Sequence, residues 1–276
     1  MSTSAILLLW RAFMPRFIAL WRYRGFVFGM VGQEFRRRYL GSLLGNTWSF
    51  LNPLARVFVY TVVFSQLMRT RLAGNADTMA YSLFLCAGLL TWNLFSDLLG
   101  RSPTMFIEHA NFLKKVSFPR VTLPVILCIS TAVDFVCTFI IFLLFLPMLG
   151  PCPGPAILGF IPLLLIQQAF ALGLGILLGT LNVFFRDIGH LMGIALQLWF
   201  WFTPIVYPVS ILPESLQALI KWNPMTPMVM AYQNIVLYAS WPDWTTISFP
   251  LAGALISLVV GVMVFRKLSD ELVDEL

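Results

Sequence analysis

Long apolar stretches dominate the chain, and polar residues gather in the shorter segments between them. A helix of about 20 predominantly apolar residues crosses the hydrocarbon core of a bilayer. We predict six such spans, at residues 49–68, 79–99, 124–146, 156–184, 190–207 and 247–265. The fourth is longer than a bilayer requires, so it is tilted or extends beyond the membrane. The pattern predicts an all-α integral membrane protein with six transmembrane helices.

The composition excludes an ordinary soluble domain. Hydrophobic residues make up 59% of the chain and charged residues only 11%, whereas soluble domains carry about 25% charged residues. So few charges cannot coat the surface of a water-soluble protein of this size. We therefore expect a cytoplasmic segment at 1–48, a transmembrane domain at 49–266 and a short acidic cytoplasmic tail at 267–276.

The distribution of Lys and Arg predicts the orientation of the chain. Fourteen of the 18 basic residues fall in segments on the side that holds both termini, and three fall on the other side. Since cytoplasmic loops are rich in Lys and Arg, both termini are predicted to be cytoplasmic. The net charge of +6 follows from this bias and does not indicate nucleic-acid binding.

The N-terminal segment predicts a helix at residues 17–40 that lies in the cytoplasmic membrane interface. Its aromatic and aliphatic side chains suit the apolar side, and Arg36, Arg37 and Arg38 suit lipid headgroups. Each such arginine contributes about 1 kcal/mol near an anionic surface. The alternative is that these arginines only fix the topology.

The segment 208–246 predicts two short apolar helices on the non-cytoplasmic side, at 213–222 and 225–238, separated by Asn223-Pro224. Neither is long enough to span, so they form a re-entrant or interfacial hairpin. Irregular backbone at membrane depth needs protein or water around it, which favours a hairpin packed beside a cavity. The alternative is a pair of external helices among the headgroups.

The loop between the second and third spans predicts a docking surface. Residues 102–113 form a short amphipathic helix in this interpretation, and basic residues follow it. No Gly-Lys pair occurs in the chain, so no P-loop is present and an ATP-driven role requires a partner. The alternative is a solvated connector.

Catalytic motifs and metal-ligand spacings are not apparent in the sequence. His109 and His190 each stand alone in a predicted loop. The charged residues within predicted spans are Arg56, Asp97 and Asp134, and such residues are usual functional candidates. Arg56 either pairs with Asp134 or extends to the cytoplasmic face.

Aromatic residues concentrate in the first and fifth spans. Asn52, Arg56, Tyr60 and Phe64 follow one another at a spacing of four, which places them on one helical face. The fifth span holds Trp199, Trp201, Phe202 and Tyr207. Flat aromatic faces suit sugar rings and permit sliding. The alternative is an interfacial aromatic belt with ordinary core packing.

Three stretches carry a resemblance to a known family: "YLGSLLGNTWSFLNPL" (39–54), "NFLKKVSFPRVTLP" (111–124) and "LNVFFRDIGHLMGIALQLWFWFTPIVYPVSILPESLQALIKWNPMTPMVMAY" (181–232). They resemble permease subunits of ABC-2-type polysaccharide exporters, which serve O-antigen, capsule or teichoic acid export. The resemblance implies a homodimer in the bacterial inner membrane with two copies of a separate ATPase subunit. ATP and Mg would bind that partner, no cofactor would bind this chain, and the cargo would be an undecaprenyl-type lipid-linked polysaccharide.

The resemblance also implies roles for particular residues. The substrate channel would be lined by Asn52, Arg56, Tyr60, Phe64, Trp199, Trp201, Phe202 and Tyr207. Lipid headgroups would meet Arg36, Arg37 and Arg38. Coupling to the ATPase would involve Phe106, Glu108, Phe112, Lys114 and Lys115. The periplasmic gate would include Pro213, Trp222, Asn223 and Pro224. Rival functions are an ABC-2 permease for a drug or small lipid, a membrane-embedded glycosyl- or acyltransferase, and a structural scaffold without transport.

Overall fold

Helices make up the regular structure of the described residues. The structure, a computed structural model, describes residues 23–39, 47–59, 78–115, 118–149 and 153–276. Its helices are α1 (Arg24–Tyr39), α2 (Trp48–Phe58), α3 (Thr78–Arg101), α4 (Met105–Glu108), α5 (Ala110–Lys115), α6 (Thr122–Leu149), α7 (Phe160–Phe184), α8 (Asp187–Trp201), α9 (Glu214–Ile220), α10 (Met225–Tyr238), α11 (Trp244–Leu268) and α12 (Glu271–Asp274). Short 3₁₀ turns occur at Gly154–Gly159 and Val209–Ile211. The all-α prediction is confirmed for these ranges.

Four of the described helices are long and apolar enough to cross a membrane. They cover Ala80–Arg101, Thr122–Pro147, Gly154–Phe184 and Trp244–Leu268. These segments correspond to the second, third, fourth and sixth predicted spans. The fourth reaches 31 residues because the 3₁₀ turn runs directly into α7, in line with its predicted excess length.

The N-terminal predictions fall partly outside the described residues. Helix α1 accounts for two thirds of the predicted interfacial helix, and α2 accounts for the first half of the first predicted span. Residues 17–22 and 60–68 lie outside the described ranges. Both α1 and α2 pack against α6, so each described portion is seated on the helical bundle.

The fifth predicted span is shorter than the sequence indicated. Helix α8 has 15 residues and ends at Trp201, which gives a length of roughly 22 Å. The prediction that the helix reaches residue 207 was wrong. Pro204 has no N–H to donate, and the residue before a proline is disfavoured in helical conformation. The chain from 202 to 208 is instead turned and bent; we call these residues the bent segment.

The predicted helix at 102–113 is two short helices rather than one. Residues 102–104 form a turn, and His109 separates α4 from α5. The His109 ring nitrogen Nδ1 lies 2.9 Å from the carbonyl oxygen of Met105, the acceptor that a continuing helix would offer to the backbone N–H of residue 109. The His109 side chain thus occupies this acceptor at the break between α4 and α5.

The two short helices predicted after the fifth span are present, but they differ in burial. Helix α9 spans Glu214–Ile220 and is largely exposed, whereas α10 spans Met225–Tyr238 and packs on α3. Met228, Val229 and Tyr232 of α10 are almost completely buried. Helix α10 is therefore a core element of the bundle, which argues against the alternative of two freely external helices.

The tightest helix pair in the bundle is α7 with α11. A β-carbon on Gly173 would collide with the backbone of Ser257 and Leu258. The hydroxyl of Ser257 also donates a 3.2 Å hydrogen bond to the carbonyl of Phe170. Small residues that allow close backbone approach are the usual means of packing helices in a membrane. Gly173 and Ser257 therefore allow α7 and α11 to pack closely against each other.

Candidate functional site

Helix α8 is fastened at its beginning by the amide of Asn182. The Asn182 Nδ2 donates to the carbonyl of Pro103 at 2.9 Å, and the backbone N–H of Gly189 donates to Asn182 Oδ1 at 2.8 Å. Asn182 is 2% exposed. One buried side chain therefore joins the end of α7, the turn before α4 and the first turn of α8.

Helix α8 is fastened at its other end by a second asparagine. Trp199 Nε1 donates to Asn223 Oδ1 at 2.8 Å, and the N–H of Met225 donates to the same oxygen at 3.0 Å. Asn223 Nδ2 donates to the carbonyl of Phe202 at 3.1 Å and to Thr203 Oγ1 at 2.9 Å. Asn223 thus connects α8, the bent segment and the start of α10.

Trp199 packs into the interior of its own subunit. Its ring meets Phe95 edge-on with centroids 5.1 Å apart, and it meets Phe170 in the same way at 6.3 Å. Trp92 and Phe200 extend this aromatic cluster. Trp199 is half-buried and lies among core aromatics of α3 and α7, and its predicted place in the channel lining stays a prediction. It therefore anchors α8 in this conformation.

The surface of α8 that remains uncovered carries a continuous apolar strip. Five side chains share this surface, which we call the open face: Leu191, Ile194, Leu198, Trp201 and Phe202. Their spacing follows the helical repeat. Trp201 and Phe202 were predicted channel residues and are 59% and 49% exposed. The aliphatic members were missed, although their spacing in the sequence was a usable signal.

The remaining predicted channel residues divide into described and undescribed positions. Asn52 is exposed on α2, and Tyr207 is half-buried with its hydroxyl donating to the carbonyl of Trp201 at 2.6 Å. The side chain of Arg56 and the whole of Tyr60 and Phe64 lie outside the described part of the structure. The Arg56–Asp134 pairing therefore stays a prediction.

The predicted gate residues lie between α9, α10 and the bent segment. Pro213 immediately precedes α9, and Pro224 immediately precedes α10. Trp222 is 78% exposed. The hydrogen bonds between these elements are made by its neighbour Asn223. The structure brings one predicted gate residue, Asn223, into direct contact with one predicted channel residue, Trp199.

The predicted docking surface is only partly exposed. Glu108, Phe112 and Lys114 are exposed, whereas the side chain of Lys115 lies outside the described residues. Phe106 is completely buried and stacks on Phe265 of α11 with ring centroids 5.7 Å apart. In this structure Phe106 therefore seats α4 on the bundle, and its predicted contact with a partner stays a prediction. The sequence could not distinguish the buried face of so short a helix.

An aromatic contact joins this surface to α1. Phe26 of α1 lies 6.3 Å from Phe112 of α5 and 5.2 Å from Phe118, measured between ring centroids. Arg36 is exposed on the same helix, while the side chains of Arg37 and Arg38 lie outside the described part. Thus α1 and α5 form one contiguous surface.

A cavity of about 540 Å³ lies between α1, α3, α4 and α6. Arg101 of α3 is ion-paired with Glu34 of α1 inside it, and Asp97 lies 3.7 Å from the same guanidinium group. Glu108 and His109 also line the cavity. An arginine at the end of an apolar helix needs such partners. This ion pair was not predicted, because its members are distant in sequence.

Known proteins resemble this chain over most of its length. The family model for ABC-2 type transporters matches residues 26–237. The chain is 31% identical over 259 residues to the O-antigen export system permease protein RfbA of Myxococcus xanthus, covering 93% of this chain and 97% of that protein. It is 30% identical over 249 residues to the protein of the same name from Klebsiella pneumoniae, with 88% and 93% covered.

A more distant similarity extends to a second kind of transport protein. The chain is 19% identical over 237 residues to the polysialic acid transport protein KpsM of Escherichia coli, covering 85% of this chain and 90% of that protein. The residues matched by the family model run from α1 to α10. They include the open face, the cavity and the two asparagine junctions, which are the hydrogen-bonded contacts of Asn182 and of Asn223 at the two ends of α8. The chain belongs to the ABC-2 type transporter family.

Proposed function

We propose that this chain is the membrane subunit of an ATP-driven exporter that moves a lipid-linked polysaccharide, of the O-antigen class, from the cytoplasm to the periplasm. The similarity to O-antigen export permeases over 93% of the chain is the observation that carries this proposal. Two copies of the chain and two copies of a separate ATPase form the working complex in the inner membrane. ATP and Mg bind the ATPase.

The open face of α8 supports a path along the subunit. Its aliphatic residues and the two aromatic residues at its end form an uncovered apolar surface about 15 Å long, directly beside the bent segment. In a dimer, this surface and α2 face their counterparts across the path. Sugar rings stack on Trp201 and Phe202, and the contact permits movement because stacking has little directional preference.

The surface formed by α1, α4 and α5 supports coupling to the ATPase. Movement of the ATPase subunits presses on the exposed residues Glu108, Phe112 and Lys114. The Phe26–Phe112 contact and the Glu34–Arg101 ion pair pass this movement to α1 and α3. Asn182 passes it to α8 through the carbonyl of Pro103.

The proposal is tested by deleting the gene in its own bacterium and examining the surface polysaccharide. We expect the long polysaccharide to disappear from the cell surface while lipid-linked polymer accumulates inside. Restoring the gene restores export, whereas restoring it alongside an ATPase whose P-loop lysine is replaced does not. A deletion strain with unchanged surface glycan would reject the proposal.

A capsular polymer is the second candidate cargo, and the similarity to the polysialic acid transport protein favours it. The same deletion distinguishes the two, because loss of capsule with intact lipopolysaccharide would assign the capsule.

A further inference from the structure

The bent segment lies where its carbonyl groups need protein partners. It follows α8 directly and is enclosed on one side by α3 and α10, and Thr203, Pro204 and Ile205 are all buried. Backbone groups outside a helix are tolerated at membrane depth only where protein or water satisfies them. The positions of these partners therefore determine where the segment lies.

Gln233 of α10 supplies the central partner. Its Nε2 lies 3.2 Å from the carbonyl oxygen of Pro204 and 3.4 Å from that of Ile205. The side chain is 2% exposed. These hydrogen bonds connect residues 28 and 29 positions apart in the chain, so they join two separate elements rather than stabilise one turn.

The carbonyls on either side also bond to side chains from neighbouring elements. Asn223 donates to the carbonyl of Phe202, and Tyr81 of α3 donates to the carbonyl of Val206 at 2.8 Å. The carbonyl of Thr203 accepts from the N–H of Ile205 at 2.7 Å. Every carbonyl from 202 to 206 thus has a donor, and only one donor comes from the segment itself.

Helix α3 approaches this junction closely at Gly88. A β-carbon at Gly88 would lie 2.9 Å from Gln233 Nε2 and 3.2 Å from the carbonyl oxygen of Ile205. The absence of a β-carbon at Gly88 therefore allows α3, α10 and the bent segment to meet this closely. Tyr81 ties the bent segment to α3, and Gln233 ties it to α10. A shift of α10 away from the segment therefore breaks both hydrogen bonds of Gln233 together.

We infer that Gln233 is the positioning residue that holds the bent segment against α10, at the point where α3 packs on both, and so keeps the proposed path shut at its gate end when no nucleotide is bound. This inference rests on the proposed function, because it assumes a path along the open face. Trp201 directly precedes the segment, Phe202 is its first residue, and both belong to the open face, so release of Gln233 moves both aromatic side chains.

The test measures solute leak through the purified complex of this chain with its ATPase in lipid vesicles, without nucleotide. A trapped small anionic dye reports the leak. In Gln233→Leu we expect leak to rise about tenfold over wild type, because the loss of two buried hydrogen bonds shifts a closed–open equilibrium by at least that factor. Gln197→Leu is the matched control, since Gln197 is exposed on α8 and its leak stays at the wild-type level.

A second variant, Gln233→Glu, keeps the shape and adds a readout that a purely structural role would not show. At about pH 8 its buried carboxylate cannot donate, so leak rises. At about pH 5.5 burial favours the protonated carboxyl, which donates to one carbonyl, and leak falls towards the wild-type level. If the Gln233→Leu complex fails to assemble, the pH dependence of dye leak in Gln233→Glu tests the inference by itself.

Two results would overturn the inference: leak within about twofold of wild type in both variants at both pH values, or failure of both variants to assemble, which would make Gln233 a folding residue. The dye assay involves no polysaccharide. A complex that leaks on substitution but exports no glycan would therefore reject the proposed cargo and retain the role of Gln233.

Discussion

Trp199 donates its indole N–H to the side-chain oxygen of Asn223 at 2.8 Å, so the last turn of α8 is tied to the turn that starts α10. The same asparagine oxygen caps the N–H of Met225, and its amide nitrogen satisfies the bent segment. Loss of this one side chain removes four hydrogen bonds at the junction of three elements.

We predict that Asn223→Ala lowers the free energy of unfolding by about 2–3 kcal/mol, since it leaves several polar groups without partners. Trp199→Phe keeps most of the ring packing and removes only the N–H, so its effect is smaller, about 1 kcal/mol. Thermal unfolding in detergent measures both. Trp222→Ala is the control, because that side chain is exposed and should be close to neutral; equal losses for Trp222 and Asn223 would contradict the junction.

Substitutions on the open face should lower export and leave stability nearly unchanged. The double substitution Trp201→Ala and Phe202→Ala should reduce polysaccharide export several-fold while stability changes by less than about 1 kcal/mol, because both side chains are exposed. Quantifying surface glycan at matched protein abundance checks this. Leu191→Ala, at the other end of the face, controls for general loss of apolar surface. Normal export by the double variant would remove the aromatic path from the mechanism.

The α7–α11 pair makes a strong prediction about two glycines. Gly173→Ala should destabilise the protein by about 2–3 kcal/mol, because the added methyl group meets the backbone of α11 and cannot be accommodated by rotation. Gly193→Ala should be neutral or stabilising by up to about 1 kcal/mol, because nothing lies within 4 Å of that position and alanine favours helix. Unfolding in detergent measures both, and similar effects at the two positions would contradict the close approach.

The Glu34–Arg101 ion pair predicts compensation between two substitutions. Glu34→Arg should weaken the seating of α1 and lower stability by about 1–2 kcal/mol, and adding Arg101→Glu should restore much of the loss, as expected for a partly exposed pair. Asp97→Asn should have a smaller effect, because Asp97 lies farther from the guanidinium group. The double-mutant cycle is measured by thermal unfolding, and strictly additive losses would argue against the pair.

The cap of α11 predicts a pH dependence. Asp243 accepts hydrogen bonds from Thr245 Oγ1 at 2.7 Å and from the Thr245 N–H at 3.0 Å, which lower the pKa of its carboxyl below the usual value. The folded state then binds its proton less readily than the unfolded state, so the stabilisation is complete above the unfolded pKa and is lost as pH falls through the lowered one. Asp243→Asn keeps an acceptor and should show a flatter profile in thermal unfolding between about pH 7 and 3. Identical slopes for the two proteins would contradict this role.

Hydropathy alone predicts which segments of the chain form the long apolar helices. The long apolar windows correspond to α3, α6, α7 and α11, because a helix that crosses a membrane must be apolar over about 20 residues. The Asn223-Pro224 pair separates α9 from α10, as predicted. Both features depend on residues that are close together in the chain, so a single sequence is enough to predict them.

The features that sequence did not predict depend on which residues meet in space. Pro204 was a usable signal for the end of α8, but the apolar residues beyond it concealed the break. The burial of Phe106 and the partial burial of Trp199 depend on which side of each helix faces the bundle. Both helices carry apolar residues on several sides, so the sequence does not indicate that side. The roles of Asn182 and Gln233 arise from contacts with distant carbonyls, which no spacing along the chain reveals.

The two asparagine junctions have a mechanical consequence for α8. Asn182 attaches its first turn to the loop that we propose the ATPase pushes, and Asn223 attaches its last turn to α10. A 15-residue helix held at both extremities acts as a rigid connecting rod of roughly 22 Å. We therefore expect a displacement of the turn before α4 to move α8 as one unit and to arrive at the Asn223 junction without side-chain repacking along the helix.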